Sequence, residues 1–284
     1  MNSLATTAKL TILVDNKAKS GLHFEHGFAV LLETPNHYLL FDTGQGEAFN
    51  LNTITLNTNL TRVNSVIISH GHYDHTGGLP IIYEQSPNAH IYLHPLATIP
   101  RYSIRDGVAK SIAISEKSKL ALNKVSKLNL HEVTSPIRLV DGLVISGPIP
   151  RQNQIEDVGG PFYKDAYGKQ PDDIIDEIAL WFNTKNGLVI IVGCSHAGII
   201  NTIIHAQDIS GEKRVHCVLG GFHLNSASEH RLNYTIDALK ELSPDIIVPC
   251  HCTGEHAISR IKETFQNRCI EGEAGTILTF SDFT

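Results

Sequence analysis

The sequence predicts an α/β fold in which helices cover layers of β-sheet. Short apolar or β-branched runs, broken by Gly, Pro and Asn, dominate the N-terminal third and are typical of strands. In the last third, an apolar run followed by a helix-like segment occurs three times. Such alternation is the pattern of sheets packed against helices. No linker rich in Pro, Gly and Ser divides the 284 residues, so we expect a single domain over 1–284.

The N-terminal third is predicted to contribute most of the first sheet. A loop or helix is expected between the third strand and about residue 57. The middle of the chain, about 95–171, is rich in Lys, Ser, Asn, Gly and Pro. Because long loops in an enzyme domain often face the substrate, we predict a substrate-facing insertion there. The predicted strands before it are 10–14, 28–33, 38–41, 66–69 and 90–93.

The last third carries a histidine after each of three predicted strands. A hairpin across Lys185-Asn186-Gly187 joins strands 177–183 and 188–192, and further strands follow at 215–219 and 245–248. Side chains that follow strand ends lie at the edge of a sheet, where α/β proteins generally bind ligands. The three histidines are His196, His223 and His251.

Composition and charge limit the classes of function. A formal net charge of −6 argues against a general nucleic-acid binder, because Lys and Arg are not in surplus. No apolar run approaches the roughly 18 residues that cross a bilayer, and 1–9 holds no hydrophobic stretch of signal-peptide type. The five cysteines are not spaced like a disulfide framework. We therefore expect a cytoplasmic protein without nucleic-acid or membrane partners.

Four potential metal ligands follow the strand at 66–69 within six residues. They are His70, His72, Asp74 and His75. Neutral imidazole and carboxylate groups are ligands that suit Zn²⁺. A turn leaving a strand can direct His70 and His72 at one ion, and Asp74 and His75 at another. A lone histidine would be read as an ordinary surface residue, but this quartet predicts two divalent ions, with zinc preferred over iron or manganese.

This motif, HxHxDHTGG after an apolar strand, resembles the metallo-β-lactamase superfamily. A series of motifs in the same order resembles, within it, the dihydropterin-ribofuranosylaminobenzene-phosphate synthase-like subgroup of metal-dependent hydrolases. The resemblance implies a four-layer αββα sandwich with the metals in a cleft at one edge of the two sheets. The motifs lie at 40–45, 69–79, 146–151, 193–198, 220–224 and 249–254.

The resemblance also implies further ligands. His196 would complete the first metal site and His251 the second. The superfamily uses an acidic residue to bridge both metals, but no Gly-Asp pair stands near Cys194 or His223. Whether Cys194, His223 or a water takes that place stays open. Asp42, and Cys194 if it does not bridge, are expected beside the ligands, where an outer partner orients a histidine.

Two kinds of reaction suit such a site. Paired metals can polarise a substrate oxygen and lower the pKa of a bridging water, which favours a hydrolase. Asp74 would then be catalytic, orienting that water or accepting its proton. The subgroup implies instead a pterin-type transferase, in which the metals stabilise a diphosphate leaving group. Either way we expect a small, anionic, phosphorylated or ester substrate, bound by Arg151 as a phosphate clamp and by His223.

Two other hypotheses remain open from the sequence. One is an iron-dependent redox enzyme on the same fold, against which the retained His75 weighs. The other is a non-catalytic metal-binding protein, against which the intact ligand quartet weighs. Cys250 and Cys252 flank His251 and could form a zinc knuckle with it. Because alternate residues of an extended segment point in opposite directions, we expect instead that their thiols are buried and turned away from that histidine.

Overall fold

The computed structural model describes residues 7–281 and 283. Residues 1–6, which form most of the N-terminal stretch searched for a signal peptide, lie outside the described residues. Within the described part, none of the helices is both long and apolar enough to cross a membrane.

The strands follow the apolar runs of the sequence. The predicted strands 38–41 and 90–93 coincide with two strands of the structure, Tyr38–Phe41 and His90–Leu93. The strands are β1 (Thr7–Val14), β2 (Ala29–Glu33), β3 (Tyr38–Phe41), β4 (Ser65–Ile67), β5 (His90–Leu93), β6 (Tyr102–Arg105), β7 (Val108–Ser111), β8 (Leu130–Glu132), β9 (Ile137–Arg138), β10 (Val144–Ile145), β11 (Phe162–Tyr163), β12 (Leu180–Thr184), β13 (Gly187–Val192), β14 (Val215–Gly221), β15 (Ile246–Cys250) and β16 (Ile277–Ser281).

The helices begin after polar or glycine residues. The side chains of Ser115 and Ser228 each accept a backbone hydrogen bond at the start of a helix, which satisfies one of its free N–H groups. The helices are α1 (Glu47–Thr55), α2 (Tyr73–Thr76), α3 (Leu79–Gln85), α4 (Glu116–Lys124), α5 (Ile199–Ser210), α6 (Glu229–Leu242) and α7 (Glu255–Phe265).

Two main sheets and one small sheet organise the strands. The first has seven strands in the order β16-β1-β2-β3-β4-β5-β8, and the second has six in the order β15-β14-β13-β12-β10-β9. A three-stranded sheet, β11-β6-β7, stands apart. Strands β3, β4 and β5 run parallel to one another, as do β13, β14 and β15. Parallel strands end at the same sheet edge, so the loops that follow them meet there.

Three apolar cores hold the helices and the two main sheets together in four layers. One core lies between the two main sheets and includes Ile12 and Phe41 of the first sheet with Phe182 and Leu219 of the second. Another packs the second sheet against α5, α6 and α7, and the third packs the first sheet against α1, α3 and α4. The predicted αββα sandwich is therefore confirmed. Burying apolar surface on both faces of each sheet is the main stabilising contribution.

The segment 95–171, predicted as an insertion, has two structural roles. Strands β8, β9 and β10 complete the edges of the main sheets, while the small sheet faces the edge where the loops meet. Strand β7 is exposed at every residue, so it has no apolar face that a sequence pattern could reveal. Strand β16, which pairs with β1, was also not predicted; Phe280 is its one buried residue, so it too lacks a continuous apolar face.

We predict that Gly71→Ala destabilises the protein by about 2–3 kcal/mol, the upper part of the range for an overpacked site. A Cβ atom at Gly71 would lie 1.9 Å from the backbone oxygen of Ala97, which has no room to move away. Urea unfolding measures the loss. The matched control is Gly107→Ala, where nothing lies within 4 Å and only a positive φ of 75° opposes the side chain. That control should lose about 1 kcal/mol; equal losses would contradict the steric argument.

Candidate metal centre

The loop after β4 turns two histidines toward each other. The Nε2 of His70 lies 2.9 Å from the Nδ1 of His72. The other nitrogen of His70, Nδ1, donates to the hydroxyl of Ser69 at 2.9 Å. Helix α2 begins at the next residue, so Asp74 and His75 leave the loop on a helical turn, with Asp74 Oδ2 3.7 Å from His75 Nε2. A single short segment therefore supplies two pairs of potential metal ligands.

Asp42, which follows β3, holds this loop from behind. Its carboxylate accepts hydrogen bonds from the backbone N–H and the hydroxyl of Ser69, each at 2.7 Å. The same carboxylate lies 2.7 Å from the Nδ1 of His75. Asp42 has a left-handed backbone, φ 61°, and is fully buried. The structure thus places Asp42 beside the expected ligands, where it fixes the ring of His75.

The turn after β13 brings Cys194 and His196 to the same place. Glu177 supports this turn by accepting the backbone N–H groups of His196 at 2.7 Å and Ala197 at 2.6 Å. The Nδ1 of His196 donates to the carbonyl of Val158 at 2.9 Å. Its Nε2 is buried and has no hydrogen-bond partner in the described part of the chain. A buried polar atom without a partner is costly unless something else satisfies it.

The turn after β15 adds His251 from the far side. Its backbone N–H donates to Asp15 at 2.7 Å and its Nδ1 to the side-chain oxygen of Asn16 at 2.8 Å. Its Nε2 lies 3.4 Å from Asp74 Oδ2 and, among the described residues, has no hydrogen-bond partner. The end of β1 thus orients the last histidine, although Asp15 and Asn16 were not predicted to belong to the site.

These contacts share one pattern that fits metal binding. Most of the rings have one nitrogen held by an outer partner and turn the other toward a common space, as metal-binding histidines do. Donor atoms in that space fall into groups of three, each within 4.8 Å of one another. The groups are His70 with Cys194 and His196, His75 with Cys194 and His251, Cys194 with His223 and Cys252, and His26 with Asp74 and His251.

The protonation states of most of these buried side chains also favour the binding of cations. Burial lowers the pKa values of His70, His72 and His196 well below their usual range, so these rings are neutral, the form that binds metals. Burial alone would raise the pKa of Asp74, but nearby histidines outweigh it and hold that pKa well below its usual range. Burial alone would lower the pKa of His75, but Asp42 and Asp74 raise it to about 9.

A cavity of about 700 Å³ opens above the donor groups. A volume of this size is typical of sites for small molecules. Phe162 of the small sheet forms one wall, with its ring centroid 5.4 Å from that of His196 and 5.6 Å from that of His72. Three cationic residues stand around the cavity: Lys17, Arg105 and Lys110.

The structure separates the two residues expected to bind substrate. His223 lines the cavity, with a φ of 47° and its ring centroid 4.2 Å from that of His196. Arg151 is not among the residues that line it. Its guanidinium instead donates to the backbone carbonyls of Glu156 at 3.4 Å and Asp173 at 2.7 Å.

Two cavity residues were not assigned to the site from the sequence. His26, in the loop before β2, has its Nε2 3.2 Å from Asp74 Oδ2. Cys252 corrects an expectation: Cys250 is buried as predicted, but the Cys252 thiol lies in the cavity lining, within 4.8 Å of donor atoms of Cys194 and His223. The alternation argument failed because residues 251–253 form a 3₁₀ turn rather than an extended segment.

Comparison with known proteins identifies relatives over nearly the whole chain. The family model of the metallo-beta-lactamase superfamily matches residues 24–251. An uncharacterized protein of Methanocaldococcus jannaschii is 34% identical over 278 residues, covering 95% of this chain and 99% of that protein. The 7,8-dihydropterin-6-methyl-4-(beta-D-ribofuranosyl)-aminobenzene-5'-phosphate synthase of the same organism is 34% identical over 274 residues, covering 90% of each chain.

Solved structures agree with the fold. A crystal structure of a metal-dependent hydrolase of the beta-lactamase superfamily superposes with a TM-score of 0.81 at 30% identity, covering 97% of this chain and 100% of that one. A diphosphatase of the PhnP family superposes with a TM-score of 0.54 at 13% identity, and the match covers 99% of this chain and 100% of that one. At this identity the likeness shows the fold alone.

We predict that divalent metal binding strengthens as the pH rises toward 9. In the metal-free site the pKa of His75 is about 9, because Asp42 and Asp74 stabilise its charged form against burial. A cation must displace that proton, so affinity should rise about tenfold for each pH unit below this pKa, as the release of one proton requires. Competition with a chromophoric chelator at several pH values measures the slope. An affinity that does not change with pH would contradict the assignment of His75 as a ligand.

Proposed function

The chain belongs to the metallo-β-lactamase superfamily, as its motifs predicted, and we propose that it is a dinuclear metal-dependent hydrolase. Its substrate would be a small, anionic phosphorylated or ester compound. The observation that carries the proposal is the convergence of five imidazole rings and one carboxylate, from distant segments, at the floor of a single cavity. The residues are His70, His72, His196, Asp74, His75 and His251.

These donors divide between two cation positions. His70, His72 and His196 would hold the first ion, and Asp74, His75 and His251 the second. Zinc suits these nitrogen and oxygen donors, with iron or manganese as alternatives. When bound, such ions polarise a substrate oxygen and lower the pKa of water toward neutrality.

We propose Asp74 as the catalytic carboxylate. It is buried, and surrounding histidines hold its pKa well below the usual range, so it stays ionised, which favours orienting a nucleophile over accepting its proton. His26 contacts the same Oδ2 atom at 3.2 Å from the exposed side and fixes its orientation. The chain thereby supplies a charged acceptor that faces both the donor groups and the cavity.

The walls of the cavity suit an anionic substrate. Arg105 and Lys110 are exposed on the β6–β7 hairpin, and the described residues include no ion-pair partner for either. Lys17, by contrast, is already paired with Glu255 at 3.3 Å and Glu271 at 2.8 Å. In a chain with a net charge of −6, two cations on the cavity lining, neither in an ion pair with a described residue, favour a substrate that carries negative charge.

A second candidate is a pterin-type transferase. It is favoured by the relative named as a dihydropterin-type synthase, which is 34% identical and covers 90% of this chain. The same donor groups and cations suit the oxygens of a diphosphate leaving group. The two candidates differ in the nucleophile, which is water for the hydrolase and an arylamine for the transferase. Supplying an arylamine with a diphosphate substrate distinguishes condensation from hydrolysis.

We predict that His72→Ala loses bound metal and lowers turnover by more than about 100-fold, since loss of a ligand exceeds the 10- to 100-fold effect of losing an outer partner. Elemental analysis after purification without added metal, followed by assays on phosphoesters, lactones and esters with and without zinc, measures both effects. His230→Ala, on the exposed face of α6, is the matched control. Unchanged metal content in the His72 variant would refute the assignment, and absence of metal-dependent turnover would favour a non-catalytic metal protein.

We predict that Arg105→Ala raises the KM for an anionic substrate about tenfold with little change in kcat, as expected for loss of a charge-assisted hydrogen bond used in binding. Steady-state kinetics on an anionic and a neutral ester separates charge recognition from general damage. Arg151→Ala is the comparison. If KM rose in the Arg151 variant and not in the Arg105 variant, the clamp expected from the sequence would replace the hairpin as the anion site.

A further inference from the structure

We propose that the sulfur of Cys194 binds both divalent ions and takes the place of the acidic bridging residue. This inference rests on the metal centre of the proposed function and adds to it the ligand that joins the two positions. The identity of the ligand matters because a shared atom sets the spacing and charge of both ions, whatever substrate they act on.

The position of the sulfur carries the proposal. Its Sγ belongs to the donor group of His70 and His196 and also to that of His75 and His251, and all atoms in each group lie within 4.8 Å of one another. It lies 3.2 Å from the Nε2 of His75. Among the described residues, Cys194 is the donor that these two groups share, so an ion in either one would have this sulfur as a neighbour.

The neighbouring carboxylates are engaged elsewhere. Asp42 lies behind His75 and accepts from Ser69. Glu177 accepts two backbone N–H groups of the His196 turn, and Asp15 accepts the backbone N–H of His251. These three groups support the ligand loops from outside.

The remaining carboxylate faces only one of the two positions. Asp74 Oδ2 lies near His26, His75 and His251, and it shares no donor group with His70 or His196. Asp74 therefore serves the second position, and Cys194, whose thiol a bound cation would deprotonate, is the ligand left to join the two.

The backbone holds the sulfur where it is. A Cβ atom at Gly193 would lie 2.2 Å from the hydroxyl of Ser69 and 3.0 Å from Asp42 Oδ2. The turn that carries Cys194 therefore packs directly against Ser69 and Asp42, the two residues that support the histidine loop. The carbonyl of Gly193 accepts the N–H of Gly221 at 3.0 Å. Cys194 itself is only 3% exposed. A side chain so confined is preorganised as a ligand.

Charge and chemistry agree with this role. Of the six ligands assigned above, only Asp74 is anionic, so two divalent ions would leave the centre strongly positive. A thiolate adds a second negative charge, and thiolate sulfur is a preferred ligand of zinc. The competing arrangement is a single ion held by Cys194, His223 and Cys252, whose donor atoms also lie within 4.8 Å of one another. That group would use Cys194 as a terminal ligand.

Zinc-edge X-ray absorption of the full-length zinc-loaded protein tests the proposal, with zinc per chain measured in parallel. The protein used is Cys252→Ser, which removes the other cavity thiol. A bridging sulfur gives each of two zinc ions one sulfur neighbour, so the average is about one sulfur per zinc at roughly 2.3 Å. A terminal sulfur gives half that number. Cys194→Ser in the same background should lose the sulfur signal and bind zinc more than about tenfold more weakly.

Each outcome decides the proposal. Two zinc ions with about one sulfur each support it. The proposal is overturned if each zinc has on average half a sulfur neighbour or no sulfur neighbour, or if the chain binds a single zinc. Loss of zinc from the Cys252 variant would also overturn it and would assign the ion to the group containing His223. If the Cys194 variant does not fold, the sulfur count in the Cys252 variant still decides. Failure of the proposed function is separate: it would show as a normal sulfur count without turnover, whereas turnover with half a sulfur per zinc rejects the bridge alone.

Discussion

The hydrogen bonds of Asp42 are the constraint on which the centre depends. Its buried carboxylate joins the end of β3 to the loop after β4 through Ser69, and to α2 through His75. Ser69 in turn accepts from the ring of His70, so one carboxylate orients ligands of both proposed cation positions. Loss of such an outer partner typically weakens metal binding 10- to 100-fold. The turn that carries Cys194 is packed against the same residues.

The two sheets make this arrangement possible. Parallel strands end at one edge, and the loops that follow them carry the ligands, while the apolar core between the sheets holds the loops at a constant separation. Outer partners then restrict each loop: Glu177 for His196, Asp15 for His251, and Asp176, which accepts the N–H of Gly71 at 2.9 Å. The cost of burying these polar groups is offset because each is hydrogen-bonded.

In the proposed function, binding and chemistry are divided between different parts of the fold. The proposed ligands lie on loops that the sandwich supports, whereas Arg105 and Lys110 stand on a small sheet outside it. Relatives of one fold can therefore change substrate by altering the hairpin while retaining the centre. Phe162 lies between these two parts and lines the cavity beside the ligand rings, where an apolar ring lowers the local dielectric and strengthens the electrostatic attraction of an anion.

The sequence alone determined the fold class and the family, and it marked the four-residue segment proposed to bind metal and the histidines that follow strand ends, because these are local patterns: apolar runs, tight spacing and glycine turns. Only the tertiary structure decided which partners surround them. Asn16 and His251 are 235 residues apart, and so are invisible to any local pattern. Arg151 looked suitable for phosphate but is directed at backbone carbonyls, whereas Arg105 reaches the cavity through a hairpin without an apolar face. Spacing can propose a ligand, but the position of Cys194 between two groups follows from how separate loops pack at one sheet edge.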